Sequence, residues 1–147
     1  MTSGPTSATR PNAPKVPDGP EYTVIVVTRQ AKDGSGDEFL LVRHRDRGWE
    51  LPGGKLEGLE GPVHCALREF REETGHLIAG PRFVAKLRKD NGTCYLFSGG
   101  LGPQVQEVVA DEAIEEMAWH RRLPVDGLSF PDDPYDVIGD HLGFRLQ

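Results

Sequence analysis

Hydrophobic and polar positions change rhythm several times along the chain, and each change predicts an element. Met1 to Pro20 is rich in Ser, Thr, Pro and Gly with almost nothing to bury, so a disordered tail is expected there and one domain over residues 21–147. Tyr22 to Thr28 (YTVIVVT) is an apolar, β-branched run of the kind that fills a buried central strand. Ala31 to Asp37 reads as a turn, and Glu38 to Arg43 as the returning hairpin partner. A charged loop, His44 to Gly48, leads to Trp49. The spacing then becomes helical: Val63, Ala66, Leu67 and Phe70 follow an i, i+3, i+4, i+7 stripe. Pro62 suits a first helical turn, and Gly75 the left-handed position just past a helix end, which predicts a helix closing at Thr74. Arg82 to Arg88 and Thr93 to Phe97 flank Asp90-Asn91-Gly92, a hairpin signal. Gly99 to Ala110 reads as a loop with few anchors, Ala113 to Trp119 as a strand, and Asp132 to Leu142 as a last short helix. No internal repeat is present. The order predicts an α/β domain with a mixed sheet between helices.

Bulk properties narrow the field. A chain of 147 residues can bury a proper core without staples. A net charge of −6 argues against nonspecific nucleic-acid binding, which calls for a basic stripe. The two cysteines, Cys65 and Cys94, fall in the predicted helix and in a predicted strand. They read as small buried hydrophobes rather than a disulfide or metal pair, and a reducing, cytoplasmic setting is expected. No apolar run is long enough for a membrane span, and no signal-peptide core is seen at the N-terminus.

The chemistry concentrates between Leu51 and Leu77. Pro52-Gly53-Gly54-Lys55 forms a glycine-rich loop, the turn from Glu57 to Glu60 is acidic, and Glu69, Glu72 and Glu73 share one face of the predicted helix. By itself an Arg-Glu-x-x-Glu-Glu helix is ordinarily a solvated face. Three carboxylates so close repel unless a positive group sits among them, and a hard divalent cation such as Mg²⁺ takes such oxygen ligands. Here the helix belongs to a longer pattern. Gly54, five residues, Glu60, seven residues, then Arg68-Glu69-Phe70-Arg71-Glu72-Glu73-Thr74-Gly75 resembles the Nudix hydrolase signature G-x5-E-x7-R-E-U-x-E-E-x-G-U, with all seven charged and glycine positions filled. The apolar positions depart, since Phe70 is aromatic and His76 is polar, and Leu77 is placed to fill the second apolar site.

The resemblance implies a Nudix-type α/β/α sandwich and hydrolysis of a diphosphate linkage assisted by Mg²⁺, with Mn²⁺ as the alternative ion. Divalent metal lowers the pKa of bound water and neutralises phosphoryl oxygens. On the family pattern Glu72 and Glu73 are metal ligands beside the Gly53 carbonyl, and Glu69 is a further ligand or the general base. Arg68 orients these carboxylates, with Glu60 as its partner, and Lys55 meets phosphate or a neighbouring carboxylate. Many members add a later glutamate ahead of a Trp. Glu112, seven residues before Trp119, is the candidate, with Glu115 and Glu116 as rivals. Arg43, Arg45 and Arg47 carry guanidinium groups that match phosphate geometry, the alternative being surface charge. The histidines show no metal-ligand spacing.

Substrate choice lies outside this box. Leu128 to Tyr135 (LSFPDDPY) contains a turn in which an aspartate would cap the last helix. The segment also resembles the base-binding element of the family's oxidised-purine nucleoside triphosphatases. That implies Phe130 stacks on a base while Asp132 and Asp133 bind its edge, one carboxyl donating and the other accepting. The lead-in Arg47-Gly-Trp-Glu-Leu-Pro-Gly-Gly54 resembles bacterial 8-oxo-dGTP diphosphatases. The expected function is therefore Mg²⁺-dependent conversion of a purine nucleoside triphosphate, with the 8-oxo-dGTP type favoured, to the monophosphate and pyrophosphate. Competing expectations are another diphosphate substrate (an RNA 5′-triphosphate end, a dinucleoside polyphosphate or ADP-ribose) and a non-catalytic nucleotide-binding module. The expected partner is a small nucleotide, in a monomer or a homodimer.

Overall fold

A computed structural model describes residues 19–90 and 92–147. The expected tail, apart from Gly19 and Pro20, lies outside the described residues, as does Asn91 of the predicted hairpin turn. In chain order the elements are β1 (Glu21–Gln30), β2 (Asp37–His44), β3 (Gly48–Glu50), β4 (Gly53–Lys55), α1 (Pro62–Thr74), β5 (His76–Lys89), β6 (Gly92–Gln104), β7 (Ile114–His120) and α2 (Tyr135–Leu142). The strands form a sheet of order β3-β2-β1-β6-β5, with β4 paired to β1 and β7 to β2. The β1–β6 pairing is parallel and the others are antiparallel, so the sheet is mixed as expected.

The unbroken apolar run of β1 is explained by burial on both faces. Successive side chains of a strand point to opposite sides. Val24 and Val26 join one core with Leu41, Leu96 and the α2 residues Tyr135 and Ile138. Ile25 and Val27 join the other, with Leu40, Phe97 and the α1 residues Ala66 and Phe70. The two helices therefore cover opposite faces, giving the α/β/α sandwich.

Helix α1 has the predicted bounds. Pro62 occupies its first turn, and Gly75, at φ 76°, closes it by donating its N–H to the Arg71 carbonyl at 2.8 Å. Its buried face differs from the predicted stripe. Cys65, Ala66, Phe70, Glu73 and Thr74 are buried, whereas Val63 is half exposed and Leu67 only partly covered. The β4 segment packs across the carboxylate side of the helix and rotates the buried face toward Glu73. An apolar stripe cannot signal burial achieved by a polar loop. Just after the helix, Ile78 rather than Leu77 fills the core position, and His76 turns its Nδ1 to the Gly102 carbonyl at 2.9 Å.

Two further expectations change. Gly99 to Gln104 is strand, because β6 runs on to pair with His76 to Ala79 of β5. The last helix starts at Tyr135 rather than Asp132; Pro134 precedes it and no side chain caps it. Both cysteines are free and buried, as read from the sequence, and burial pushes their thiols up to about 11 for Cys65 and about 12 for Cys94. Among the described residues no helix is long and apolar enough to cross a membrane.

Phe70 is fully buried where α1 meets the sheet. Phe70→Ala is expected to cost about 3–5 kcal/mol of stability, the usual range for emptying a buried aromatic site. Urea unfolding checks it, and a loss below ~1 kcal/mol would contradict this packing.

Candidate active site

The glycine-rich loop positions the site because of what it cannot carry. At Gly53, φ is 149°, and an added Cβ would collide with the Thr23 carbonyl across the β1–β4 pairing. At Gly54 a Cβ would overlap the Glu69 carboxylate. Backbone thus replaces side chain at both positions, which lets α1 carboxylates lie against the loop. The Gly53 N–H donates to Glu73 Oε1 at 2.9 Å, tying loop to helix.

Arg68 is the centre of the acidic cluster. Its Nε and Nη2 donate to the two Glu60 oxygens at 2.6 and 2.9 Å, a forked pairing. Its Nη1 reaches Glu69 at 2.7 Å and Glu72 at 3.1 Å, and Glu57 lies at 3.7 Å. The positive group that the carboxylate cluster calls for is thus supplied from within the helix. The hydrogen bond from Arg68 holds Glu60 down at about 2, and the same contact raises the arginine's own pKa. Glu69 shifts upward, mainly through burial, against the pull of Arg68.

Glu73 is different. It is 4 % exposed, and among the described residues its hydrogen-bond partner is the Gly53 N–H. Burial drives its pKa well up; the Gly53 amide opposes this, and the charges of Glu69, Glu50 and Asp111 add to it. A buried carboxylate facing three others is a place where a cation is wanted.

These groups line a cleft of about 590 Å³. Its wall carries Gly53, Gly54, Lys55, Glu50, Glu69, Glu73 and Asp111 together with Arg47, Tyr22, Phe130, Asp133 and Tyr135. The residues named from sequence divide accordingly. Gly53, Lys55, Glu69, Glu73, Arg47, Phe130 and Asp133 face the cleft. Glu72 stays on the Arg68 side, 38 % exposed, and does not line it. Glu112 is exposed, and its neighbour Asp111 takes the position in the cleft. The reason is an anchor: the Asp111 N–H donates to the Glu72 carbonyl at 3.0 Å, pinning this loop to the last turns of α1 with Asp111 inward. Glu115 and Glu116 bind Arg43, at 3.4 and 2.8 Å, away from the cleft. Arg45 is exposed beside Asp46.

The expected pair of base-reading aspartates is not assembled. Asp132 is exposed and outside the cleft, while Asp133 is in an ion pair with Lys89, 2.5 Å away. Lys89 engages the Asp133 carboxylate, and only Asp133 of the two lines the cleft. Phe130 is held in place: its carbonyl accepts the Asp133 N–H at 3.2 Å and the Tyr135 hydroxyl at 2.8 Å. The Arg47 guanidinium lies 5.4 Å from the Phe130 ring centre and forks onto the buried Glu50 at 2.8 and 3.2 Å. Glu50 and Asp111 are cleft residues that motif reading missed. For Glu50 a signal existed, because it directly precedes the box on a short strand. For Asp111 the miss was one residue of phase in a loop.

The donor set fits a hard divalent ion. Glu69, Glu73, Glu50 and Asp111 all line the cleft and supply oxygen only. Among the described residues no three His, Cys, Asp or Glu side chains form a ready metal cage, since Arg68 engages Glu69 and Glu72.

The sequence and the fold agree with comparison to known proteins. A sequence profile of the NUDIX domain matches residues 19–135, and the chain belongs to the Nudix family. It is similar to a putative 8-oxo-dGTP diphosphatase, YtkD of Bacillus subtilis (strain 168), with 42% identity over 53 residues, covering 36% of this chain and 34% of that protein. It is also similar to an uncharacterized Nudix hydrolase of the same organism, YvcI, with 45% identity over 47 residues, covering 31% of this chain and 30% of the other. The chain thus spans about a third of the length of the curated relatives it matches. Its fold is similar to that of a variant of the Bacillus subtilis pyrophosphohydrolase BsRppH, with TM-score 0.65 and 20% identity, covering 92% of this chain and 86% of that one.

The Glu73 environment has a pH signature. The native state holds a proton that the unfolded chain releases near 4.5, so native stability is lost as pH rises from there through the raised folded value. Glu73→Gln removes that penalty. In metal-free solution at pH 8 it is expected to melt at least about 2 °C above the parent, and the gap should close as pH falls toward 4.5. Thermal melts across pH check this; a Gln variant that melts lower at pH 8 would contradict it.

Proposed function

We propose that the protein is a Mg²⁺-dependent nucleoside triphosphate diphosphohydrolase that releases a nucleoside monophosphate and pyrophosphate, with purine nucleotides favoured. The observation that carries this reading is that one cleft is lined by the carboxylates Glu50, Glu69, Glu73 and Asp111, by the cations Lys55 and Arg47, and by the aromatic residues Tyr22, Phe130 and Tyr135. A nucleotide calls for the same groups: cations for its polyphosphate and a flat apolar surface for its base.

In this reading Glu69, Glu73 and Asp111 hold the ion, with the Gly53 carbonyl beside them, and Glu72 completes the set once it leaves Arg68. Asp111 takes the role first given to Glu112. The bound ion supplies Lewis acidity and a more acidic water. Lys55 offers a compact positive charge to the phosphates, and Arg47 a planar one if it exchanges Glu50 for phosphate. Arg68 is a positioning residue, holding Glu69 at the loop through a guanidinium already fixed by Glu60. The upward-shifted Glu69 is the candidate general base, because a buried carboxylate of raised pKa accepts a proton more readily. Phe130 offers one face for stacking. The local likeness to a protein named as a putative 8-oxo-dGTP diphosphatase supports an oxidised purine among the substrates.

Incubation with Mg²⁺ and a panel of dGTP, 8-oxo-dGTP, dATP, ADP-ribose, a dinucleoside tetraphosphate and 5′-triphosphorylated RNA tests the reading. Monophosphate with pyrophosphate is expected from the triphosphates, and Glu73→Gln should lower kcat by roughly 10²–10³-fold while remaining folded. Turnover confined to ADP-ribose, dinucleoside or RNA ends would reject the substrate assignment. An unchanged rate in Glu73→Gln would reject the site.

A further inference from the structure

We infer that Arg47 is a movable cover on the Phe130 ring, held there by Glu50 and released to a ligand that brings phosphate charge. The inference rests on the nucleotide reading above and adds how the cleft disfavours a nucleoside that lacks phosphates. The Arg47 guanidinium stands over the Phe130 ring, 5.4 Å from its centre. Its Nη2 and Nε donate to the two Glu50 oxygens at 2.8 and 3.2 Å. All three residues line the cleft. The Glu50 side chain is 5 % exposed and that of Arg47 45 %, so a buried anchor holds an arm that still reaches solvent. The charges of Glu73 and Asp111 act on the guanidinium as well.

The backbone around this contact is tied down, which leaves the arginine side chain as the moving part. The Trp49 N–H donates to the Gly127 carbonyl at 2.7 Å, and the Trp49 carbonyl accepts the Ser129 N–H at 2.9 Å. At Gly48, where φ is 124°, a Cβ would collide with that same Gly127 carbonyl, so β3 and the loop lie backbone to backbone. Phe130 follows directly, and ring and cover are thus carried by one bonded unit. A flat base that stacks on the covered face must displace the guanidinium. Its apparent affinity therefore falls with the fraction of molecules in which the face is open. Departure of Arg47 is costly, because Glu50 stays behind, buried and without its partner. Phosphate oxygens match the guanidinium fork as a carboxylate does, so a polyphosphate offers Arg47 an equivalent partner while its base takes the uncovered ring. A nucleoside offers nothing in exchange.

The cover makes one substitution act in opposite directions on two ligands. Calorimetry would give the affinity of deoxyguanosine in metal-free solution, and steady-state kinetics the KM for dGTP with Mg²⁺, alongside thermal melts. Arg47→Ala should bind deoxyguanosine about three- to tenfold more tightly than the parent, while its KM for dGTP rises about tenfold. Glu50→Gln keeps the shape of the anchor and removes its charge, so it should also tighten deoxyguanosine binding, by about twofold or more. Deoxyguanosine affinity unchanged in Arg47→Ala, or undetectable in every protein, would overturn the inference and leave Arg47 a phosphate contact alone. Weaker binding of both ligands with a lowered melting temperature would overturn it as well, marking the residue as structural. A Glu50→Gln variant that binds deoxyguanosine no better than the parent would remove the anchor and the inference with it. If the parent turns over no nucleoside triphosphate, the nucleotide reading itself falls, and this one too.

Discussion

The site depends on one guanidinium. Arg68 touches Glu57, Glu60, Glu69 and Glu72, four negative groups around one positive, in surroundings where it is only 19 % exposed. Without it Glu69 and Glu72, one turn of neighbouring helix surface, would repel each other and turn to solvent. With it they are held near the loop while the cluster remains strongly negative. The forked bond to Glu60 gives the arginine a fixed plane, so its remaining N–H groups aim at Glu69 and Glu72 rather than sweeping through space. Arg68 thus organises the carboxylates and leaves unmet a demand for cations that Mg²⁺ can answer.

Glu73 depends on a second constraint. It is one residue from Glu72 yet nearly buried, because β4 crosses α1 at two glycines that bring backbone where a side chain would stand. The buried carboxylate is costly, and the Gly53 amide offsets only part of that cost. Structural expense concentrated at one residue of a cleft is a common mark of function. Here the same expense sets an acidic group in a cleft whose wall also carries Phe130, Tyr22 and Tyr135.

The order of elements, the bounds of α1, the buried central strand and the box were legible in the sequence because each rests on local chemistry. Pro62 and Gly75 bracket the helix through backbone preferences that neighbours do not alter, and the β-branched run of β1 reports burial on both faces. The failures share a cause as well. The apolar stripe places Val63 in the core, whereas β4 buries the carboxylate side and leaves Val63 half exposed. Spacing to Trp119 points to Glu112, with Glu115 and Glu116 as rivals, but says nothing about which loop residue turns inward; the bond from the Asp111 amide to the Glu72 carbonyl turns Asp111 in.

The sequence by itself determined the family, through seven fixed positions over twenty-two residues, and with it the α/β/α sandwich and the carboxylate helix. Tertiary structure alone decided which acids face the cleft and which partner each one takes. Lys89 and Asp133 stand 44 positions apart, and Arg43 and Glu116 stand 73 apart. Charge pairing acts over a few ångströms in space and is indifferent to separation along the chain. For that reason the residues competent for the chemistry can be read from the sequence, whereas the assignment of each to metal, phosphate, base or mere neutralisation waits on the fold.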